Sequence, residues 1–493
     1  MSTPWNGTSV TRVMSEPLRM GTRAGRLALA ATVVGSGVAF LDTSVVNVAL
    51  PAITRDLGGG FATAQWVVDG YLLTLGSLVL VGGALGDLLG RRRVYEAGLV
   101  LFAVASVACG LAPTAEVLIG ARMLQGVGAA LLVPGSLAIL SSSFAADDRG
   151  RAIGAWSGLG TVFVALGPLV GGLLVDTGDA GWRWVFLINV PIVVLAIVLS
   201  RRGIPDTPGT RTPGPVLAQV DVLGAVLTVI GLGLVVGPLI EISTLGPASA
   251  TGLVAVGVAV LGCFVALEQH RERTQKPPPM LPLALFRVRA FTVANLVTFA
   301  VYGALNVGFF LLTVLLQVGL GYPAWQAGLA GLPVTLVLAA FSARVGGLLP
   351  RVGARILLSA GCVGIALGLA LLARISPGAS YAVDVLPALL VFGSGLVLVV
   401  APVTTTALAD VAVASSGAAS GVNNAVARVA GLIAIAVIPW LGGLTGAALA
   451  GGAGLQQGYT RAMLVAAALA VLGAVVAWVG LPAHHGRSTE PAT

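Results

Sequence analysis

The chain has 493 residues, of which 57% are hydrophobic and 9% charged, and its mean hydropathy is +0.99. Soluble domains carry roughly a quarter of their residues as charges, so this composition excludes a soluble fold. The formal charge of +8 does not point to nucleic acid, because the basic residues fall in short groups between apolar runs and not on one domain.

The apolar runs repeatedly reach the roughly 20 residues that a helix needs to cross the hydrocarbon core, whereas barrel strands would read as shorter alternating segments. The fold class is therefore an all-α polytopic membrane protein. Residues 1–26 are polar and basic, and the run behind them shows no cleavage site, so they read as a cytoplasmic tail before an uncleaved first helix. Spans near 27–50, 65–86, 94–112, 116–140, 151–175 and 183–200 form a first bundle over 27–200. A Pro-rich cytoplasmic linker, 201–219, leads to two closely spaced runs near 220–241 and 250–268, an inserted pair over 220–268. Residues 269–290 read as a second linker, because Pro277, Pro278 and Pro279 cannot continue a helix. Six more runs, near 291–317, 325–349, 355–373, 383–403, 417–443 and 461–481, form a second bundle over 291–481, and 482–493 is a cytoplasmic tail. The pattern is six, two, six, or 14 transmembrane helices.

Placing both termini in the cytoplasm puts 21 of the 27 Lys and Arg residues on that side, the bias expected of cytoplasmic loops. Arg122 and Arg428 lie within spans. Trp66, Trp182, Trp184, Trp325 and Trp440 sit near span ends, where interfacial indoles are expected. Cys109, Cys263 and Cys362 lie in apolar runs without paired spacing, which supports neither a disulfide framework nor a metal site. The His residues at 270, 484 and 485 fall in loops or the tail, and no acid pair at ligand spacing or phosphate-binding loop is present, so no enzyme, cofactor or metal is expected. The loops after the second span of each bundle are related: Gly83, Leu85, Gly90 and Arg92 align with Gly346, Leu348, Gly353 and Arg355.

Charged groups inside the spans carry the functional argument. Asp42 lies in the first apolar run, where a lone carboxylate costs a few kcal/mol and is usually paired, faces a cavity or carries protons. Asp42, Thr43 and Asn47 fall on one arc of about 140° at 100° per residue, a polar stripe expected to face a central cavity. Arg122, Gln125 and Gly126 share a face at i, i+3 and i+4, so Arg122 should point into the bundle and find a carboxylate, carbonyls or water. The loop Gly82–Arg93 combines Gly83, Gly86, Asp87, Gly90, Arg91 and Arg92, in which Asp87 can pair with a nearby arginine and latch the cytoplasmic ends of neighbouring helices. In the fifth span Gly160, Gly167 and Gly171 lie on or near one face, with Pro168 bending the helix, a pattern suited to close packing or to a sliding seal between bundles.

These segments resemble the major facilitator superfamily, specifically its fourteen-helix drug/proton antiporter branch. The matching pieces are LDTSVVNVALPAI (41–53), GGALGDLLGRRR (82–93), RMLQGVGAALLVPGS (122–136), GLGTVFVALGPLVGGLL (158–174) and WRWVFLINVPI (182–192), in the right order over the first six spans. The resemblance implies the family's fold, two six-helix bundles with a pair inserted between them, and function as a monomer. It implies that Asp42 is the proton-coupling acid of the first span, that Arg122 tunes it, and that Gly158, Gly160, Gly167, Pro168, Gly171 and Gly172 form the antiporter signature. Asn423, Asn424 and Arg428 resemble a polar patch of related exporters in the penultimate span. Asp69 and Glu241 are further acids, expected at the interface more than at the centre. The expected function is proton-coupled export of small lipophilic drugs or antibiotics across the cytoplasmic membrane of a bacterium, with protons as the coupling ion, the bilayer as surroundings and no nucleic-acid partner. The alternative is an exporter or importer of an endogenous metabolite on the same fold.

Overall fold

The structure is a computed structural model that describes residues 17–206, 209, 219–274, 277–412, 415–444 and 452–483. The parts of the expected tails and linkers at 1–16, 207–208, 210–218, 275–276 and 484–493 lie outside the described residues. The first half holds α1 (Arg23–Leu57), α2 (Gly60–Leu89), α3 (Arg91–Gly110), α4 (Ala115–Ser143) and α5 (Ala146–Val175). Its sixth crossing is a 3₁₀ turn followed by α6 (Trp184–Leu187) and α7 (Asn189–Gly203). The inserted pair is α8 (Val222–Ile240) and α10 (Pro247–Thr274), joined by the short α9 (Ile242–Leu245). The second half holds α11 (Arg289–Val314), then α12 (Ala324–Ala330) and α13 (Leu332–Val352) as one crossing broken at Gly331. It continues with α14 (Ala354–Leu372), α15 (Leu386–Ala409), α16 (Ser416–Gly442) and α17 (Ala453–Gly480).

Among the described residues, 14 segments are long and apolar enough to cross a membrane, in the order six, two, six. Several helices overrun the apolar runs that mark them, whereas α8 stays within its run. The 35-residue α1 starts where the Thr22 side chain accepts the Gly25 N–H and continues through Pro51. Hydropathy reports only the part in hydrocarbon, while the hydrogen-bonded ladder extends into the interface, and an internal proline removes just one of its bonds.

The packing map of one half repeats in the other. In the first, α4 packs on α2 and α3 while α1 packs on α5 and α7; in the second, α15 packs on α13 and α14 while α11 packs on α16 and α17. The loop alignment read from sequence has a conformational counterpart. Gly90 and Gly353 both close one helix and open the next with positive φ, 104° and 84°, a backbone state that costs a side chain and suits glycine. The halves meet along two seams, α2 on α16 and α5 on α12. The inserted α8 lies against both α2 and α16, covering the first seam, and the Trp66 indole N–H of α2 donates to Glu241 Oε1 at its end (3.0 Å). The other end of the inserted pair is locked by a buried ion pair between Asp221 and Arg271.

Polar contacts cross both seams toward the ends of α1 and α5. There the Gln65 amide donates to the Ile435 carbonyl (2.6 Å), Gln317 to the Val48 carbonyl (2.9 Å), and the Trp325 N–H to Asp176 (3.2 Å). Phe61 and Phe310 meet edge-on at 5.6 Å. Nearer the start of α5, Leu159 and Val162 are exposed. Trp182 sits at the start of the sixth crossing, as expected, but is fully buried, and its N–H donates to Asp56 (2.9 Å), because a carboxylate at the end of α1 supplies the partner that water would otherwise provide.

Candidate functional site: a buried ion pair behind a central cavity

α1 and α4 carry opposite charges to the same depth inside the first half. Arg122 Nη1 donates to Asp42 Oδ2 at 2.6 Å, and the two side chains are 1% and 0% exposed. The other carboxylate oxygen, Oδ1, accepts from Gln125 Nε2 and from Asn189 Nδ2, both at 2.9 Å. Gln125 also donates to Ser106 (2.8 Å) and accepts from Arg122 Nη1 (2.5 Å), while Arg122 Nε donates to the Val67 carbonyl (3.0 Å). The guanidinium lies over the Tyr71 ring at 4.3 Å. Helices α1, α2, α3, α4 and α7 thus each contribute to one polar cluster sealed in an apolar bundle. Such a cluster holds because every charge has both a counter-charge and hydrogen bonds.

The spacing of Arg122 and Gln125 predicted a shared face, and both side chains do meet Asp42. Asn189, Ser106 and Tyr71 escaped the sequence reading. Their only sequence signal is a polar residue inside an apolar run, in FLINVP (186–191) and VASVAC (104–109), and for Tyr71 not even that.

Between the halves is a cavity of about 300 Å³, bounded by α1, α5, α11, α12, α13, α15 and α16. Thr43 and Asn47 line it, as the arc on α1 predicts, but Asp42 does not. Asp42 stands at the edge of that arc and turns inward, where Arg122 behind α1 supplies the counter-charge and Gln125 and Asn189 supply further hydrogen bonds. Of the penultimate-span residues only Arg428 lines the cavity. Asn423 instead donates to Asn295 (3.1 Å) and Thr298 (2.9 Å) and ties α16 to α11, while Asn424, half-buried, is outside the lining. Tyr71 lies under the Arg122 guanidinium and is within electrostatic reach of Arg428, but it does not line the cavity.

Asp69 departs from its expected interfacial place. It is fully buried, and neither oxygen has a hydrogen-bond partner. On α2 it falls between Trp66, which faces α8, and Gln65, which faces α16. Helical geometry at 100° per residue therefore aims it at the junction of the two halves with the inserted pair. Glu241, in contrast, stands at the end of α8.

The loop between α2 and α3 fastens the first half to itself. Arg91 pairs with Asp87 (2.9 Å) and donates to the Ala138 carbonyl of α4 (3.2 Å), and Arg92 pairs with Glu96 and donates to the Ile204 carbonyl beyond α7. Glu96, which the sequence did not single out, also accepts from Ser200 (2.8 Å). Glu96→Ala is expected to lower stability by about 1–3 kcal/mol, because Arg92 keeps its half-buried charge without its carboxylate. Thermal unfolding in detergent measures this, and an unchanged midpoint would show the latch to be dispensable.

The glycines of α5 divide between two surfaces. A Cβ on Gly160 would press on Phe40, one on Gly167 on Ser44, and one on Gly171 on Val45, so these three seat α5 on α1. A Cβ on Gly172 would strike the backbone of Trp325 in the other half, and Pro168 occupies the space beside Gly328. Gly158 faces open space.

Two matched six-helix bundles that enclose a cavity at their common boundary define a membrane transporter of the repeat-built class. The chain belongs to the Major Facilitator Superfamily, whose family model matches residues 32–219 and 218–435. It is 37% identical over 423 residues to the multidrug resistance protein Stp of Mycobacterium tuberculosis, covering 84% of this chain and 75% of that one. It is 35% identical over 466 residues to the puromycin resistance protein pur8 of Streptomyces alboniger, covering 91% and 90%. It is 36% identical over 434 residues to a probable actinorhodin transporter of Streptomyces coelicolor, covering 85% and 74%. Solved structures share the fold at 15% identity: a POT family transporter in complex with 5-aminolevulinic acid (TM-score 0.71, 94% and 98% covered) and the xylose transporter XylE from E. coli (0.58, 94% and 100%).

Proposed function

We propose that the protein exports small lipophilic drugs or antibiotics across the cytoplasmic membrane by alternating access, driven by inward movement of protons. The observation that carries this reading is the conjunction of relatives named for drug and antibiotic resistance with a cavity whose wall backs onto a buried Asp–Arg pair. With the N-terminus in the cytoplasm, the closed end is the outer one and the cavity belongs to an inward-facing state. Proton binding to Asp42 removes the counter-charge of Arg122, which leaves a guanidinium held only by neutral acceptors and an aromatic face. Relaxation of that pair moves α1 against α4, and α1 carries Thr43 and Asn47 in the cavity and Ser44 against α5. Asp69 is a second carboxyl able to carry a proton, placed on the seam that must open and close.

One charge moved down about 100 mV supplies about 2.3 kcal/mol, or roughly a 50-fold concentration ratio. Everted vesicles overexpressing the protein are expected to accumulate a drug under respiration and to release it when an uncoupler is added. Accumulation that survives the uncoupler removes proton coupling. The competing reading, transport of an endogenous metabolite, is favoured if deletion and overexpression strains respond alike to every compound in a susceptibility panel.

A further inference from the structure

The central cavity has a charge balance of its own, and that balance specifies a substrate class. This inference deepens the export reading and rests on it for direction of transport, not for the chemistry of binding. Among the described residues, Arg428 is the single charged one in the lining, and no acidic side chain lines the cavity. Among the described residues Arg428 forms no ion pair, in contrast to Arg122, whose carboxylate is already engaged. It is half-buried. A guanidinium cannot shed its proton, and it brings up to five donors that a low-dielectric site leaves short of acceptors.

The neighbouring groups do not supply the missing charge. Tyr302 is within electrostatic reach of Arg428 but is neutral, and Asn306 spends its amide on the Tyr302 carbonyl (2.8 Å). Thr43 and Ser44 donate their hydroxyls to carbonyls of their own helix. Asn47, Thr313 and Thr335 are the other polar groups of the lining and carry no charge, and the rest of the wall is apolar and aromatic, with Phe40 and Phe309 facing the space.

We propose that Arg428 anchors the acidic group of the exported compound, and that the protein takes lipophilic monoanions, such as carboxylic acids with a flat aromatic body, in preference to lipophilic cations. The volume of about 300 Å³ suits one such molecule. The anion would complete a charge-assisted, bidentate pair with the guanidinium, while a cation would meet an uncompensated like charge in a medium that screens poorly. Export of an anion against an entering proton moves both charges down an inside-negative potential. A cation exchanged for one proton gains nothing from it, so the preference also favours the driving force.

A matched probe set tests the proposal: 1-naphthaleneacetate, its methyl ester and 1-naphthaleneethylamine share one body and differ in charge. Equilibrium dialysis against the purified full-length protein in detergent should give the anion at least about tenfold tighter than the amine. Arg428→Gln should cut the anion-to-ester ratio about tenfold, Arg428→Lys should restore most of it, and Arg428→Glu should reverse the order of anion and amine. No charge preference in the wild type, including no binding of any probe at millimolar concentration, or a ratio untouched in Arg428→Gln, overturns the proposal. Proteoliposomes carrying an imposed pH gradient separate the two readings. Charge-selective binding without proton-driven movement of the anion upholds the charge class and sinks export, whereas proton-driven transport without charge selectivity does the reverse.

Discussion

Replacing Asp42 by Asn is expected to remove most proton-driven transport and to destabilise the protein by about 3–5 kcal/mol, the usual cost of stripping a buried charge of its partner. Asparagine keeps the shape of the side chain and can still accept from Gln125 or Asn189, so the loss is electrostatic and not steric. Arg122 would retain the Val67 carbonyl, Gln125 Oε1 and the face of Tyr71, all neutral. The reciprocal change, Arg122→Met, is expected to cost less stability. A carboxyl left alone can take up a proton, but a guanidinium cannot lose one. The double variant Asp42→Asn/Arg122→Met should recover part of the stability lost in Asp42→Asn without recovering transport, since an ion pair replaced as a unit is often nearly neutral for folding. Thermal unfolding in detergent together with proton-driven uptake into everted vesicles reads both axes. Full transport by Asp42→Asn with coupling intact would take Asp42 out of the mechanism, and a loss in the double variant equal to the sum of the two single losses would show that the pair is not energetically coupled.

The architecture was legible because each crossing must satisfy its own backbone in hydrocarbon, which forces a long apolar run per helix and makes fourteen runs countable. The ends were less legible: polarity reports where lipid stops, not where hydrogen bonding stops, and α1 therefore overruns its apolar run at both ends. Asp42 and Arg122 stood out one at a time as charges in the wrong solvent. Their pairing, across 80 residues, belongs to the packing of α1 on α4 and has no local signal. The same limit explains Asp42 and the cavity. Periodicity placed it correctly on an arc with Thr43 and Asn47, but an arc 140° wide spans two environments, and only the position of α4 decides which edge faces which. Asp69 was misplaced for a related reason. It lies ten residues into α2, and its burial comes from α8 and α16 closing over it, helices that its own neighbours in the chain say nothing about.

Substitution of Gly172 by Val is expected to shift the conformational balance of the transporter by about 1–3 kcal/mol, the range for overpacking a close contact. The Cβ would collide with backbone atoms of Trp325 and Ala324, which cannot rotate away as a side chain can. This contact exists only while α5 and α12 are closed at this end, so the strain falls on the structure described here and is relieved when the seam parts. A penalty of that size corresponds to roughly a 5- to 150-fold change in the ratio of the two states. Gly328→Ala should act in the same direction, since its Cβ would meet the Pro168 carbonyl across the same seam. Gly158→Ala, in open space on the same helix, should leave the balance unchanged, although it belongs to the same glycine-rich stretch. Spin labels at the exposed positions Asp179 and Gln326, with exposed Cys263 replaced, report the separation of the two halves at this end. A longer distance in Gly172→Val and Gly328→Ala, with Gly158→Ala matching the wild type, is the expected result. An unchanged distribution in all three would mean that the seam tolerates a methyl group and that the glycines of α5 act through their contacts with α1 instead, where Gly167 and Gly171 rest on Ser44 and Val45.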